Sequence, residues 1–209
     1  MAPRPLIATR NWPNETAYLV ASGPSSESLD LDQLRGRRVI AVSHGLFMAP
    51  WAPTLIAGGR AFWRHHNITK IWHGCRAIIT DDYRPWGWLA REDPRMAYMR
   101  RAGRYGLSDD PGALAGSESS VMLAINYAVH RGVARIVLLG CDGKPGPSGE
   151  RRAGRPESDT RDAAARYQTQ ERAMATQIKP LAAAGVTVVN CSPDTALGCY
   201  PVGDLRAEL

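Results

Sequence analysis

Short apolar runs recur along most of the chain, and small or polar residues end each of them. Runs of this length that are rich in Val, Ile and Leu are typical of strands buried on both faces of a sheet. Segments with helical spacing separate several of the runs, which predicts a doubly wound α/β protein with a mostly parallel, Rossmann-like sheet and helices on both faces. The predicted strands lie at about 16–21, 38–43, 54–57, 70–73, 76–80, 135–139 and 186–190.

Helical patterns are clearest in the second half of the chain. An apolar stripe at positions 121, 124, 125, 128 and 129 predicts a helix that starts near residues 117–119 and ends at residue 130. Gly132 is placed to end that helix in the left-handed conformation. An alanine-rich segment predicts a second helix over about 159–184, kinked near Pro180. Shorter helices are predicted at about 27–34 and 60–66.

The length of 209 residues suits one domain with a full hydrophobic core. Residues 1–15 contain three prolines and no periodicity, so we interpret them as an irregular arm that precedes a single domain over residues 16–209. Within that domain, residues 81–116 are rich in aromatic side chains and are interpreted as a lid or insertion. Residues 143–158 are rich in Gly, Pro, Ser and Arg and are interpreted as a mobile loop.

Composition narrows the class of protein. Hydrophobic residues make up 44% of the chain and charged residues 22%, as in an ordinary globular protein. No apolar run approaches the length of a membrane span, and the first residues lack the apolar segment of a secretory signal, so a cytoplasmic location is expected. The net charge of +6 leaves open a polyanionic partner such as DNA. The sequence leaves the oligomeric state open.

The histidines and cysteines do not form a pattern that is typical of a metal site. The four cysteines are scattered, and the adjacent His65 and His66 point in different directions if they lie on a helix. We therefore predict no metal site and no tightly bound cofactor.

The turn after the first predicted strand is the strongest candidate for ligand binding. A Gly-Pro turn between a strand and a helix lets backbone amides approach an anion, and serine hydroxyls add further donors. An equally good interpretation is an ordinary strand-to-helix turn with a capping serine. The residues concerned are Ser22, Gly23, Pro24, Ser25 and Ser26.

Other polar residues follow later strands, and ligands of doubly wound sheets bind at the carboxyl ends of the strands. Ser43 and His44 follow the second strand, and His44 is a candidate general base because histidine titrates near neutral pH. The alternative is a histidine bonded to backbone. Arg60 is a candidate partner for phosphate, or else a solvated helix residue. Gly140 and Asp142 end the strand at 135–139.

Several motifs, in their order along the chain, resemble a known group of proteins. Together they resemble phage-encoded Rossmann-like proteins related to the 6-hydroxymethylpterin pyrophosphokinase-like group and, distantly, to bacterial sialyltransferases. The resemblance implies a site for a nucleotide-activated donor that needs metal weakly or not at all. The segments that carry it are Ala21–Ser25, Val39–Ser43, Ala49–Pro53, Ser119–Asn126, Arg135–Asp142 and Val189–Pro193.

The resemblance also implies roles for individual residues. Asp142 would orient a ribose hydroxyl or the acceptor, and Ser43 would contact the nucleotide, where relatives often have Asn. The implied contacts with donor phosphates or ribose are those of Gly23, Pro24, Ser25, Ser119 and Ser120.

This chain departs from the pattern of those relatives at three places. Where relatives often carry Asn-Asp it has Ser43-His44, where they often carry Asp it has Gly58-Gly59, and where they carry Gly it has Val121.

Three functions agree with these observations. The leading hypothesis is a transferase that binds a nucleotide or nucleotide-sugar donor and moves a glycosyl or diphosphoryl group to an acceptor, such as a phage DNA base or a glycan. The second is a catalytically reduced protein that binds a nucleotide or sequesters a ligand, and the third is a basic nucleic-acid-binding protein. The sequence has neither a P-loop nor a Gly-x-Gly-x-x-Gly fingerprint after a strand, which argues against an ATPase and a dehydrogenase.

Overall fold

The computed structural model describes residues 6–59, 62–63, 66–80, 93–116, 118–147 and 163–209. Its centre is a seven-stranded sheet in which every neighbouring pair is parallel, in the order β5-β4-β3-β2-β1-β8-β9. Strands β6 and β7 form a separate two-stranded parallel sheet. In chain order the strands are β1 (Thr16–Val20), β2 (Arg38–Val42), β3 (Thr54–Ala57), β4 (Arg76–Ile79), β5 (Met96–Tyr98), β6 (Arg100–Gly103), β7 (Ala113–Ala115), β8 (Arg135–Leu139) and β9 (Thr187–Asn190).

The helices of the described residues are short except for two. Helix α2 begins after Ser119, whose Oγ accepts a hydrogen bond from the Val121 amide at 3.2 Å, and it ends at Gly132, where φ is +94°. Both boundaries agree with the predicted helix. The α-helices are α1 (Ile68–Ile71), α2 (Ser120–Arg131), α3 (Ala163–Ala175) and α4 (Ile178–Ala183); the 3-10 helices are Pro24–Ser28, Leu31–Leu34, Ser43–Phe47 and Leu205–Glu208.

Hydrophobic clusters cover both faces of the sheet. Alternate residues of β1 belong to different clusters, Leu19 to the one that contains α2 and Val20 to the one that contains Trp63 and Trp72. Because successive side chains of a strand point to opposite faces, this division confirms the predicted doubly wound α/β fold.

The order of the strands reverses next to β1. From β1 the chain adds β2, β3, β4 and β5 on one side, and after α2 it places β8 on the other side of β1. In open parallel sheets, such a switch point leaves a crevice at the carboxyl ends of the two central strands.

Two predicted elements were wrong. The run at 70–73 was predicted as a strand, but Lys70 and Ile71 are the last residues of helix α1. Trp72, which follows the helix, is fully buried and donates from Nε1 to the carbonyl of Ala52 at 2.9 Å. A four-residue apolar run does not distinguish a strand from a buried helical turn. The short helix predicted at 27–34 is divided, because the segment overlaps two 3-10 helices, Pro24–Ser28 and Leu31–Leu34, that residues 29 and 30 separate.

The long helix predicted for 159–184 is divided into α3 and α4. The break lies near Gln177, whose buried Nε2 donates to the carbonyls of Gly106 and Met122, each at 3.1 Å. Pro180 lies in the first turn of α4, where its missing amide hydrogen costs no intrahelical bond. The helix therefore ends before the proline and not at it.

Other predicted features lie partly outside the described residues. Residues 6–15 contain no helix or strand, and residues 93–116 contribute β5, β6 and β7. Of the segment at 60–66, residues 62 and 63 are helical, and most of the predicted mobile loop at 143–158 lies outside the described residues. In the part of the chain that is described, no helix is long and apolar enough to cross a membrane.

Candidate functional site

A cleft of about 280 Å³ opens at the switch point of the sheet. The ends of β1, β2 and β8 line it together with the start of α2, and one side of α3 closes it. Its size lies near the lower end of the range for small-molecule sites. The turn after β1 and the amino end of α2 therefore face one cavity, as the sequence predicts for an anion-binding notch.

The loops after β1 and β8, residues 21–25 and 140–144, touch each other; we call them the β1–β8 rim. The Gly23 amide donates to the carbonyl of Gly140 at 2.8 Å. A Cβ at Gly23 would lie 2.5 Å from that carbonyl oxygen and 2.6 Å from Asp142 Cγ. Gly140 has φ of +68°, and a Cβ there would lie 2.6 Å from the carbonyl oxygen of Ala21. Glycine at both positions is what allows the two loops to approach this closely.

The carboxylate of Asp142 joins the two loops of the β1–β8 rim. Its Oδ2 accepts from the Ser25 amide at 2.9 Å, and its Oδ1 accepts from the Ser25 hydroxyl. Burial raises the pKa of Asp142, and the two hydrogen bonds from Ser25 oppose that shift. Each carboxylate oxygen thus holds the position of the β1 loop, whereas the catalytic role predicted for Asp142 stays a prediction.

A buried network of hydrogen bonds among Asn190, Ser192 and Cys141 supports the loop after β8. Asn190, which has no exposed surface, donates from Nδ2 to the carbonyl of Cys141 at 2.9 Å and accepts from Ser192 Oγ at 2.7 Å. Ser192 Oγ in turn accepts from the Cys141 amide at 2.7 Å. Burial raises the pKa of the Cys141 thiol, which keeps it protonated and unreactive.

The start of α2 forms the floor of the cleft. Ser120 Oγ accepts from the Gly58 amide at 3.2 Å and so ties the helix to the end of β3. Glu118 places a carboxylate in the cleft, and Arg104 forms an ion pair with it at 2.7 Å. That pairing offsets a negative charge that would otherwise oppose the binding of an anion.

Ser43 and His44 face the cleft from the end of β2; together with residues 42, 45, 58, 62, 63 and 66 we call them the β2–β3 rim. Ser43 has φ of +52°, a left-handed conformation that is uncommon for a residue other than glycine. His44 Nδ1 lies 3.2 Å from Ser43 Oγ, and His44 Nε2 lies 3.1 Å from His66 Nε2. The rim therefore presents a hydroxyl and an imidazole side by side.

Most of the predicted site residues meet in this cleft, and a few do not. Ser26 is 2% exposed and its hydroxyl donates to the carbonyl of Gly23 at 2.7 Å. Pro24 and Ser25 line a neighbouring depression, and Arg60 lies outside the described residues. Whether any of them binds a ligand stays a prediction. Those that line the cleft are Ser22, Gly23, Ser43, His44, Ser119, Ser120, Gly140 and Asp142.

Sequence reasoning missed the contribution of α3. Tyr167, Gln170 and Met174 line the cleft, and Gln170 Nε2 donates to the carbonyl of Glu118 at 3.3 Å. These three residues are spaced i, i+3 and i+7, so one face of the helix carries all of them. That spacing was the available signal, but it resembles an ordinary packing stripe.

The sequence matches no protein-family model and no curated protein sequence. Among solved structures, the fold is similar to that of the sialyltransferase CstII from Campylobacter jejuni in complex with the substrate analogue CMP-3FNeuAc, with a TM-score of 0.55 and 10% identity over 90% of this chain and 85% of that chain. The same enzyme in complex with cytidine-5'-monophosphate gives a TM-score of 0.54 and 9% identity over 90% of this chain and 84% of that chain.

At such low identity the likeness shows a shared fold. The fold is therefore similar to that of a bacterial sialyltransferase, as the resemblance implies at the level of the fold. The relation to the pterin pyrophosphokinase-like group and the phage origin stay predictions.

Proposed function

We propose that this chain is a transferase that binds a nucleotide-activated sugar in the cleft and moves the sugar to a hydroxyl acceptor. The observation that carries the proposal is the meeting of the Ser22–Gly23 turn and the start of α2 in one cavity at the switch point of the sheet. This is the place where parallel α/β sheets bind nucleotides. The structural neighbours, which are described with CMP and a CMP-sugar analogue, support the same donor class.

The chemistry assigned to the cleft needs two kinds of group. The acceptor oxygen attacks the anomeric carbon, the bond from that carbon to the donor phosphate breaks, and the nucleotide leaves with the bonding electrons. The hydroxyl groups of Ser22, Ser119 and Ser120, which line the cleft, would donate to the leaving phosphate and stabilise its charge. His44 would take the proton of the acceptor hydroxyl.

The distribution of charge favours a small ligand over a nucleic acid. Several arginines of the described part are engaged by carboxylates, which leaves less unpaired positive charge for a polyanion. The pairs are Arg35–Asp32, Arg38–Glu15, Arg95–Asp93, Arg100–Asp110, Arg104–Glu118 and Arg135–Glu208.

A second candidate is a protein that binds the nucleotide without transferring a group. The observation that favours it is that both Asp142 oxygens accept hydrogen bonds from Ser25. A carboxylate held in this way positions the loop after β1 before it can act on a ligand. The diphosphoryl-transfer alternative has no comparable observation in its favour.

Binding and turnover of a CMP-sugar separate these candidates. We expect calorimetry to show binding of CMP, and we expect slow release of CMP from CMP-N-acetylneuraminic acid when the protein is added. Binding without release would favour the second candidate. No binding of CMP, UDP or GDP at millimolar concentration, together with tight binding of duplex DNA, would contradict the proposal.

A further inference from the structure

Two imidazoles meet at the edge of the cleft and share a hydrogen bond. The His44 and His66 rings are nearly perpendicular, with centroids 5.0 Å apart and an angle of 86° between their planes. His44 Nε2 faces His66 Nε2 at 3.1 Å, and His44 Nδ1 faces Ser43 Oγ at 3.2 Å. Both nitrogens of His44 are therefore in hydrogen-bond contact, Nδ1 with Ser43, which lines the cleft, and Nε2 with His66.

The backbone fixes the position of Ser43 and His44. The left-handed conformation of Ser43 ends the alternation of β2, so that two consecutive side chains line the same cleft. Gly45 follows at a place where a Cβ would lie 1.9 Å from the carbonyl oxygen of Val20. The turn that presents His44 is thus packed against β1 and cannot shift towards it.

A different element brings His66 to His44. The buried Trp63 donates from Nε1 to the carbonyl of Ala57 at 3.0 Å and so anchors its segment to the end of β3. The His66 amide donates to the carbonyl of Phe62 at 3.2 Å, and the His66 ring lies beside that of His44. Phe62, only 4% exposed, packs against both imidazoles with its ring centroid 5.2 Å from each.

A hydrogen bond between two imidazole nitrogens requires one to be protonated and the other not. If His44 Nε2 carries the proton, then His44 Nδ1 is unprotonated and can act as a hydrogen-bond acceptor. If His66 Nε2 carries it, then His44 Nδ1 is protonated and cannot accept a proton from a substrate. The partner on one nitrogen of a histidine thus decides the role of the other.

We propose that His66 is a positioning residue that accepts the Nε2 proton of His44 and thereby keeps His44 Nδ1 as the basic nitrogen of the cleft. The proposal rests on the proposed function, in which His44 takes the proton of the acceptor hydroxyl. With the proton on His44 Nε2, the hydroxyl of Ser43 would donate to Nδ1 across the 3.2 Å contact. An acceptor hydroxyl that enters the cleft would replace Ser43 as the donor.

Nitrogen-15 NMR of the imidazole rings tests the proposed direction of the His44–His66 hydrogen bond without any substrate. At about pH 8.5, well above the ordinary histidine pKa of about 6.5, we expect His44 to carry its proton on Nε2 and His66 to carry its proton on Nδ1. Replacement of His66 by Phe, which keeps a ring beside Phe62, should remove this fixed pattern from His44. The opposite tautomers in the wild type, or an unchanged His44 pattern in H66F, would overturn the proposal.

Release of CMP from CMP-N-acetylneuraminic acid supplies the second readout. H66F should lower the rate constant about 10-fold with little change in KM, and His66→Gln should restore part of it because the amide oxygen accepts from His44 Nε2. The exposed His73 offers a matched control, and H73F should match the wild type. Equal rates for H66F and H73F would overturn the proposal. If the wild type releases no CMP, the proposed function fails. The NMR measurement of the tautomers still decides whether His66 accepts the Nε2 proton of His44.

Discussion

The two rims of the cleft differ in the kinds of group that bond to each other. In the β1–β8 rim the polar groups bond mainly to each other, as in the contacts of Gly23 with Gly140 and of Ser25 with Asp142. In the β2–β3 rim the polar contacts join groups that can exchange a proton, the Ser43 hydroxyl and the imidazoles of His44 and His66, and the backbone of Ser43 is left-handed. The first rim resembles a scaffold, and the second resembles a reactive surface.

This difference indicates separate roles for the two rims. The β1–β8 rim keeps the backbone of the cleft in place, and the β2–β3 rim carries the groups that can exchange a proton. The glycine loops of the β1–β8 rim are held by close packing and by hydrogen bonds to each other. Backbone strain is commonly found at functional sites, and it occurs here in the rim that carries an imidazole. Each of the following substitutions should affect mainly one of these two properties.

The largest effect is expected from His44→Gln in the β2–β3 rim. Loss of a general base lowers rates by about 10²- to 10⁴-fold, and we expect CMP release to fall within that range while CMP affinity is retained. Calorimetry and a CMP-release assay on the same preparation measure both. A fall of less than threefold would remove His44 from the chemistry and would erase the contrast between the rims.

Gly23→Ala should disrupt the β1–β8 rim. The new methyl group would meet the Gly140 carbonyl oxygen and the Asp142 carboxylate, so we expect a loss of about 1–3 kcal/mol in unfolding free energy and a large loss of CMP affinity. Gly103→Ala is a matched control, because a Cβ at Gly103 meets nothing within 4 Å. Equal stability and affinity in the two variants would show that the loops are not in close contact.

Asp142→Asn should change how stability depends on pH. Because burial raises the pKa of Asp142, the folded protein holds this proton more tightly than the unfolded chain does. The contribution of Asp142 to stability therefore falls as pH rises from the ordinary aspartate pKa of about 3.9 through the raised value.

The asparagine variant should lack that part of the pH dependence. It keeps one acceptor oxygen for Ser25 and carries no buried charge, so its stability relative to the wild type should rise as pH rises towards neutral. Urea unfolding of both proteins across the pH range measures this. Parallel curves for the two proteins would mean that Asp142 has the same proton affinity in the folded and unfolded states.

The smallest effect is expected from Ser120→Ala. It removes the acceptor of the Gly58 amide and should cost about 0.5–1.5 kcal/mol in unfolding free energy, since the end of β3 loses its link to α2. Ser28→Ala, at an exposed serine that bonds only locally, should cost less. If the two variants are equally stable, Ser120 does not support the β2–β3 rim.

Much of the fold follows from local patterns. The strands at 54–57, 76–79 and 135–139 are apolar runs that each follow one polar first residue, and α2 has both an apolar stripe and clear capping residues at Ser119 and Gly132. The helix break at Gln177 was not predictable, because it depends on hydrogen bonds to Gly106 and Met122, which are far away in the sequence.

The candidate site was predictable in its location and less so in its contacts. Polar residues after parallel strands indicate the edge on which a cleft forms, and Gly23 and His44 were found in this way. The bond from Ser25 to Asp142 and the pairing of His44 with His66 join residues that no local pattern connects. The left-handed backbone of Ser43 is also set by packing, since serine has no strong preference for it.

A crystal structure of the protein with CMP tests the central claim most directly. The account predicts that the phosphate lies between the Ser22–Gly23 turn and the start of α2, with the ribose or base near Ser43. CMP bound at another surface of the molecule, with the cleft filled by solvent, would contradict it.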